Sequence, residues 1–205
     1  METVEWVDFY APTKIHCEND CLAKIGPWIN DTGKRILLLN IQKDNKNPKE
    51  LNSLKNSLQK YTDGCIIFDE IFGDPDTEQI DSAAHFTKKS HIDMIIAMGS
   101  IDTFNAAKAI SLLSNNSFFA DDLIRGHAKV KHPGLPVVVV PTEPTMGEEL
   151  SNGFTLIDAS TGERRFYSHP SSYPLACFYD PMLSANLTSD QAARIGGAFL
   201  VYAIE

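Results

Sequence analysis

Gly99-Ser100 stands between an apolar run at residues 93–98 and a segment of helical pattern at 105–113. Strand, glycine turn and helix together form a geometry that can hold a phosphate. Free backbone N–H groups at the helix start, and the positive end of its dipole, face the anion. A glycine at a strand end can also serve merely to turn the chain, so the spacing leaves both readings open. Thiol and imidazole chemistry is sparse. Cysteines sit at 17, 21, 65 and 177. Only Cys17 and Cys21 are close, and no second pair completes a zinc site. His16, His85, His91, His127, His132 and His169 are scattered along the chain, and no partner makes any of them a switch or a ligand.

A turn of this kind needs a sheet running into it. Residues 35–40, 64–68, 93–98 and 137–140 are short, apolar throughout and rich in β-branched side chains. Such runs are expected as strands buried on both faces of a parallel sheet. Helical patterns fill the gaps at 20–29, 48–61, 77–90 and 105–113, with Pro48 well placed near a helix start. The alternation predicts a doubly wound α/β fold. Beyond Pro141 the pattern changes. Residues 154–158 and 165–167, joined by Ser160-Thr161-Gly162-Glu163, read as a β-hairpin, and 175–179 as one more strand closed by Asp180-Pro181. Thr188-Ser189-Asp190-Gln191 is a capping box ahead of a last helix at 192–205. That helix has neither a glycine cap nor a basic last turn, so further chain is expected after it.

The chain has 205 residues, a net charge of −9, 43% hydrophobic and 22% charged residues. This is the composition of a globular domain large enough to bury a core, not of a disordered, collagen-like or disulfide-stapled chain. The acidic balance argues against nucleic acid as a partner. No apolar run approaches the ~20 residues of a membrane span. The longest, 135–140, is broken by Pro136 and closed by Pro141. The acidic start Met1-Glu2-Thr3-Val4-Glu5 does not read as a targeting peptide, and the cysteines read as reduced thiols, so a cytoplasmic chain is expected.

Several segments, taken in order, resemble the motifs of one family. Residues 94–110, which include Gly99-Ser100-Ile101-Asp102 and Asn105-Ala106-Ala107-Lys108, resemble the Gly-Gly-Gly-Ser-x-x-Asp-x-Ala-Lys motif of iron-containing alcohol dehydrogenases. Ala11-Pro12-Thr13-Lys14-Ile15 is similar to that family's first-strand signature. Phe72-Gly73-Asp74-Pro75-Asp76-Thr77 resembles its Asn-Pro-Thr turn. Residues 137–150, with Pro141-Thr142 and Met146-Gly147, resemble its Pro-Thr-Thr-Ala-Gly-Thr-Gly-Ser-Glu-Val segment. Asp180-Pro181-Met182-Leu183 and the helix from Gly196 match its Asp-Pro-x-Leu and metal-helix regions.

The resemblance implies a Rossmann-like dinucleotide-binding domain over 1–186, then the first helix, 187–205, of a helical metal-binding domain. The implied reaction is hydride transfer between an alcohol or aldehyde and NAD or NADP, with a divalent metal polarising the oxygen. The candidate cofactor-binding residues are Asn40, Asp74, Gly99, Ser100, Asp102, Asn105, Thr142 and Met146. Asn40 holds a ribose-facing position, and an amide there fits either cofactor. Other positions depart from the family. Ile101 puts a side chain where backbone meets pyrophosphate in one register; a one-residue deletion would instead match Gly99-Ser100 to Gly-Ser and Asp102 to Asp. A carboxylate at ~4 Å from a phosphate costs about 4 kcal/mol at a dielectric of 20. Glu143, Glu148 and Glu149 make the second loop acidic, while Arg164 and Arg165 stand near a family lysine that approaches the cofactor. Ala198 and Tyr202 occupy the Asp and His metal-ligand positions, so no metal is expected in this chain and no catalytic residue is assigned. Weak dinucleotide binding, a possible homodimer and an inactive chain are expected. The alternative is a non-catalytic homologue serving as a binding or regulatory subunit. Purified as 205 residues, the protein is expected to show no metal-dependent turnover of NADH or NADPH with alcohols or aldehydes. Robust turnover would contradict this.

Overall fold

A computed structural model describes residues 10–30, 35–41 and 48–204; the acidic start at 1–5, Gly33 and Glu205 lie outside them. The chain runs β1 (Lys14–Cys17), α1 (Leu22–Ile29), β2 (Arg35–Leu39), α2 (Pro48–Leu58), β3 (Gly64–Phe68), α3 (Thr77–Lys89) and β4 (Met94–Gly99). It continues with α4 (Ile101–Ser114), α5 (Ala120–Ile124), β5 (Val137–Pro141), β6 (Gly153–Ile157), β7 (Arg164–Ser168), β8 (Ala176–Tyr179) and α6 (Ser189–Ile204). Among the described residues, β1, β8, β5, β4, β2 and β3 lie side by side in that order as one parallel sheet. The hairpin β6-β7 stands apart from it. This is the Rossmann-like α/β architecture that the repeating strand-helix pattern implies.

The pleat explains why the strands lack polar alternation. Successive residues point to opposite faces, and both faces are covered. Leu37, Leu39, Ile95, Ala97, Val137 and Val139 pack with Ile80 of α3 and Phe104 of α4. Their neighbours Ile36, Leu38, Ile96, Met98, Val138 and Val140 pack with Ile25, Leu51 and Leu54 of α1 and α2. Each fully buried aliphatic side chain is worth roughly 2 kcal/mol. Side-chain caps fix two helix starts. Asp76 accepts from the Gln79 amide at 2.9 Å and from its side chain at 2.7 Å. Thr188 and Gln191 satisfy each other's backbone N–H groups at 3.0 and 3.3 Å, as their spacing implies.

Helix α4 departs most from the pattern-based expectation. It begins at Ile101 rather than near Asn105, because Ser100 takes the extended N-cap conformation. From Thr103 to Ser114 every residue is buried. One side meets the sheet, and Phe154 and Leu156 of the hairpin pack into the same cluster. A helix covered all round has no amphipathic stripe. Its approach to the loop before β5 is tight: a Cβ on Gly134 would lie 2.3 Å from Ser111 Oγ.

The short helix α5 depends on α3. Asp81 accepts a hydrogen bond from the Ala120 N–H at 2.8 Å. Burial raises its pKa to about 6; the bond to Ala120 opposes this, and Asp121 and Asp122 add to it. A carboxyl whose folded pKa lies above its unfolded value binds its proton better when folded. The charged form therefore costs stability, and the cost grows as pH rises from about 4 to 6. Asp81→Asn keeps an acceptor for Ala120 without the charge. It is expected to add about 1 kcal/mol at pH 7.5 after solvent screening, with the gain gone at pH 4. Thermal melts at the two pH values check this.

Candidate active-site crevice

The strand order reverses between β2 and β4, since the chain passes from β2 to β3 on one side and from β4 to β5 on the other. The crevice beyond the carboxyl ends of such neighbours is where open α/β sheets take ligands. Asn40 follows β2 and Gly99 ends β4. Asn40 Nδ2 donates to the Met98 carbonyl at 2.7 Å, tying the two strand ends together. That bond fixes the amide orientation, because a carbonyl can only accept. Asn40 Oδ1 is then left buried, without a hydrogen-bond partner among the described residues. Next to it, Ser100 caps α4 through its backbone conformation, with no capping bond from its side chain. The Thr142 N–H donates to the Gly99 carbonyl at 3.1 Å. Asn40, Gly99, Ser100 and Thr142 thus meet on one edge of the sheet.

The remaining candidates are placed differently. Ile101 and Asp102 lie in the first turn of α4, where a carboxylate is favoured by the helix dipole. Asn105 is buried one turn further in. Met146 is 41% exposed and lines a cavity of about 270 Å³ with Ile101, Glu143, Thr145 and Ala198. Thr145 Oγ1 is a second buried polar atom without a partner among the described residues. Asp74 is engaged by Arg164 in an ion pair that joins the entry of α3 to the hairpin. Arg165 reaches Glu163 at 2.6 Å and the buried Asp158 at 3.4 Å. Asp158 also receives two hydrogen bonds from Arg125, at 2.8 and 2.7 Å, which hold its carboxyl well below the usual range.

One expectation needs correction. Glu149 does not add to the exposed acidity of the second loop; it is 2% exposed. It accepts from the Gly147 N–H at 3.1 Å and from the Tyr179 hydroxyl. Burial and this bond push the Tyr179 pKa up. Nearby, the fully buried Lys108 of α4 donates from Nζ to the Glu148 and Gly153 carbonyls at 2.8 and 2.9 Å. Burial lowers its pKa to about 8, while Glu149 and Glu148 pull it back upward. The loop at 143–150 is therefore clamped from beneath, and only Glu143 and Glu148 remain as its partly exposed acids. A lone lysine among Ala106, Ala107, Ala109 and Ile110 was the signal in the sequence that could have revealed this clamp.

The profile of the family described as "Iron-containing alcohol dehydrogenase" matches residues 12–181. The chain belongs to the iron-containing alcohol dehydrogenase family. "Probable alcohol dehydrogenase EutG" of Escherichia coli K12 is 31% identical over 65% of this chain and 33% of its own length. An iron-containing alcohol dehydrogenase from Thermotoga maritima superimposes with a TM-score of 0.79 at 28% identity, covering 90% of this chain and 50% of that one. Sulfoacetaldehyde reductase from Bifidobacterium kashiwanohense, solved with NAD+, shares the fold at a TM-score of 0.82 and 17% identity, over 92% of this chain and 50% of its own. The chain thus spans about a third of the curated relatives' length and about half of these solved chains.

Ala198 has no donor atom, and Tyr202 is 64% exposed and a poor ligand for a divalent ion. No group of three or more His, Cys, Asp or Glu that could hold a metal occurs among the described residues. Cys21, Cys65 and Cys177 are buried, and burial raises their thiols to about 11, 11 and 12, out of reach of ordinary thiolate chemistry. Lys108→Met would strip two carbonyls of their donor and leave Glu149 buried without its neighbouring cation. It is expected to cost about 3 kcal/mol, measured by chemical denaturation. A loss below about 0.5 kcal/mol would contradict the clamp.

Proposed function

We propose that this crevice binds a nicotinamide dinucleotide, NAD in preference to NADP, and that the chain is the cofactor-binding part of an alcohol or aldehyde oxidoreductase. The observation that carries the reading is the unpartnered Oδ1 of Asn40 at the switch point. Its amide nitrogen is committed to Met98, so what it offers a ligand is an acceptor. A ribose 2′-hydroxyl can donate to it. A 2′-phosphate, itself an acceptor, would meet it unfavourably. The start of α4 at Gly99-Ser100 would take the pyrophosphate, and Thr142, Thr145 and Met146 the parts beyond it. Support for NAD also comes from relatives. NAD-dependent methanol dehydrogenase of Bacillus methanolicus is 24% identical over 68% of this chain.

When bound, the cofactor supplies the hydride chemistry; the residues of this chain hold and orient it. Asp102 and Glu143 bring negative charge to the same edge, so the proposed binding is weak. Ala198 and Tyr202 favour a second reading, in which this homologue binds dinucleotide without reducing or oxidising a substrate.

Calorimetric titration separates these readings from a silent fold. NAD is expected to bind at least about tenfold more tightly than NADP, a difference of about 1.4 kcal/mol. Asn40→Ala is expected to weaken NAD and narrow that ratio. Equal affinities, or a folded chain silent to both cofactors, would sink the proposal.

A further inference from the structure

The opposite edge of the sheet, where strands begin, carries a feature that the cofactor crevice does not use. The chain is acidic overall at −9, yet residues 125–132 contain Arg125, His127, Lys129, Lys131 and His132 and no carboxylate. His127, Lys129, Lys131 and His132 line a cavity of about 490 Å³ with Ser117 and Phe118. A smaller cavity of about 140 Å³, lined by Asp81, His85 and Lys88 of α3, shares Asn116 and Phe118 with it. The two cavities adjoin at these residues.

The groove rests on a fixed backbone. Asn116, 6% exposed, accepts from the N–H groups of Lys131 and His132 at 2.9 and 3.1 Å. It donates to the carbonyls of Leu112 and His132 at 2.8 and 2.9 Å. One buried amide thus uses all four of its bonds to hold the loop from which the two basic side chains spring. The neighbouring acids are already engaged. Asp121 pairs with Arg125 at 3.4 Å, and Asp81 receives the Ala120 N–H at 2.8 Å. Asp122 lies 4.0 Å from His127. Lys88, Lys129 and Lys131 have no carboxylate partner among the described residues, whereas Lys24 pairs with Glu18.

We propose that this groove is a second anion site, taking a small molecule with two or more linked phosphates through Lys129, Lys131, His127 and His132. Lysine ammonium groups bind phosphate as point charges. A cavity of about 490 Å³ falls in the range of small-molecule sites, and two lysines with two imidazole rings beside them offer more donors than a single phosphate would use. Phe118 supplies an apolar wall. The site is distinct from the dinucleotide crevice, because the loop precedes β5 whereas Gly99 ends β4 and Thr142 follows β5.

Inorganic pyrophosphate at low ionic strength is the probe, titrated into the full chain. Saturable one-to-one binding is expected. Lys129→Gln with Lys131→Gln is expected to weaken it at least tenfold, while Lys49→Gln with Lys60→Gln, an equal change of charge on α2 and just beyond it, leaves it within twofold. Excess NAD is expected not to displace it. Absence of saturable binding, equal weakening by both variant pairs, or displacement by NAD would each overturn the proposal. Displacement would place the anion at the start of α4 instead.

Discussion

Lys108 stands on a helix with no solvent face, and its ammonium reaches the carbonyls of Glu148 and Gly153. Taking such a group out of water is costly, and burial lowers its pKa to about 8. What offsets the cost is geometry. Two carbonyls accept from it, Glu149 lies close by, and Glu149 is itself held by Tyr179 and Gly147. This buried polar group ties α4, the loop after β5, the start of the hairpin and β8 to one another. Because its members satisfy each other, the loop at 143–150 has a defined shape rather than that of a free surface segment.

The crevice inherits its form from this clamp and from the sheet. α4 starts where β4 ends, and its burial leaves no freedom to shift. Asn40 and Met98 pin the reversal point of the strand order. The frame that the proposed dinucleotide would need is thus built from packing and backbone bonds. In the proposed complex, Ile101, Asp102 and Glu143 would make its edge of the crevice bulkier and more acidic. Core positions are held by packing, where a lost methylene group is felt at once.

Much of the frame could be read from the sequence because buried parallel strands leave an unmistakable apolar signature, as in 94–98 and 137–140. The Thr188-Gln191 box and the hairpin were equally legible, being local. Burial of side chains that look solvent-facing was not legible. Glu149 reads as one of three loop acids, and only its tertiary partners Tyr179 and Lys108 reveal that it lies inside. The ion pair of Asp74 with Arg164, ninety residues along the chain, was no more legible. The start of α4 was misplaced because a helix buried on every side has no period to detect. The unsatisfied Oδ1 of Asn40 depends on a bond to Met98 that no spacing rule predicts.

Central to this account is a preformed half-site at the carboxyl edge of the sheet, and hydrogen–deuterium exchange with and without saturating NAD tests it most directly. Added protection is predicted in segments 99–105 and 141–150, with segment 127–132 at the opposite edge unchanged. A folded protein whose exchange at 99–105 and 141–150 is the same with and without NAD would contradict it.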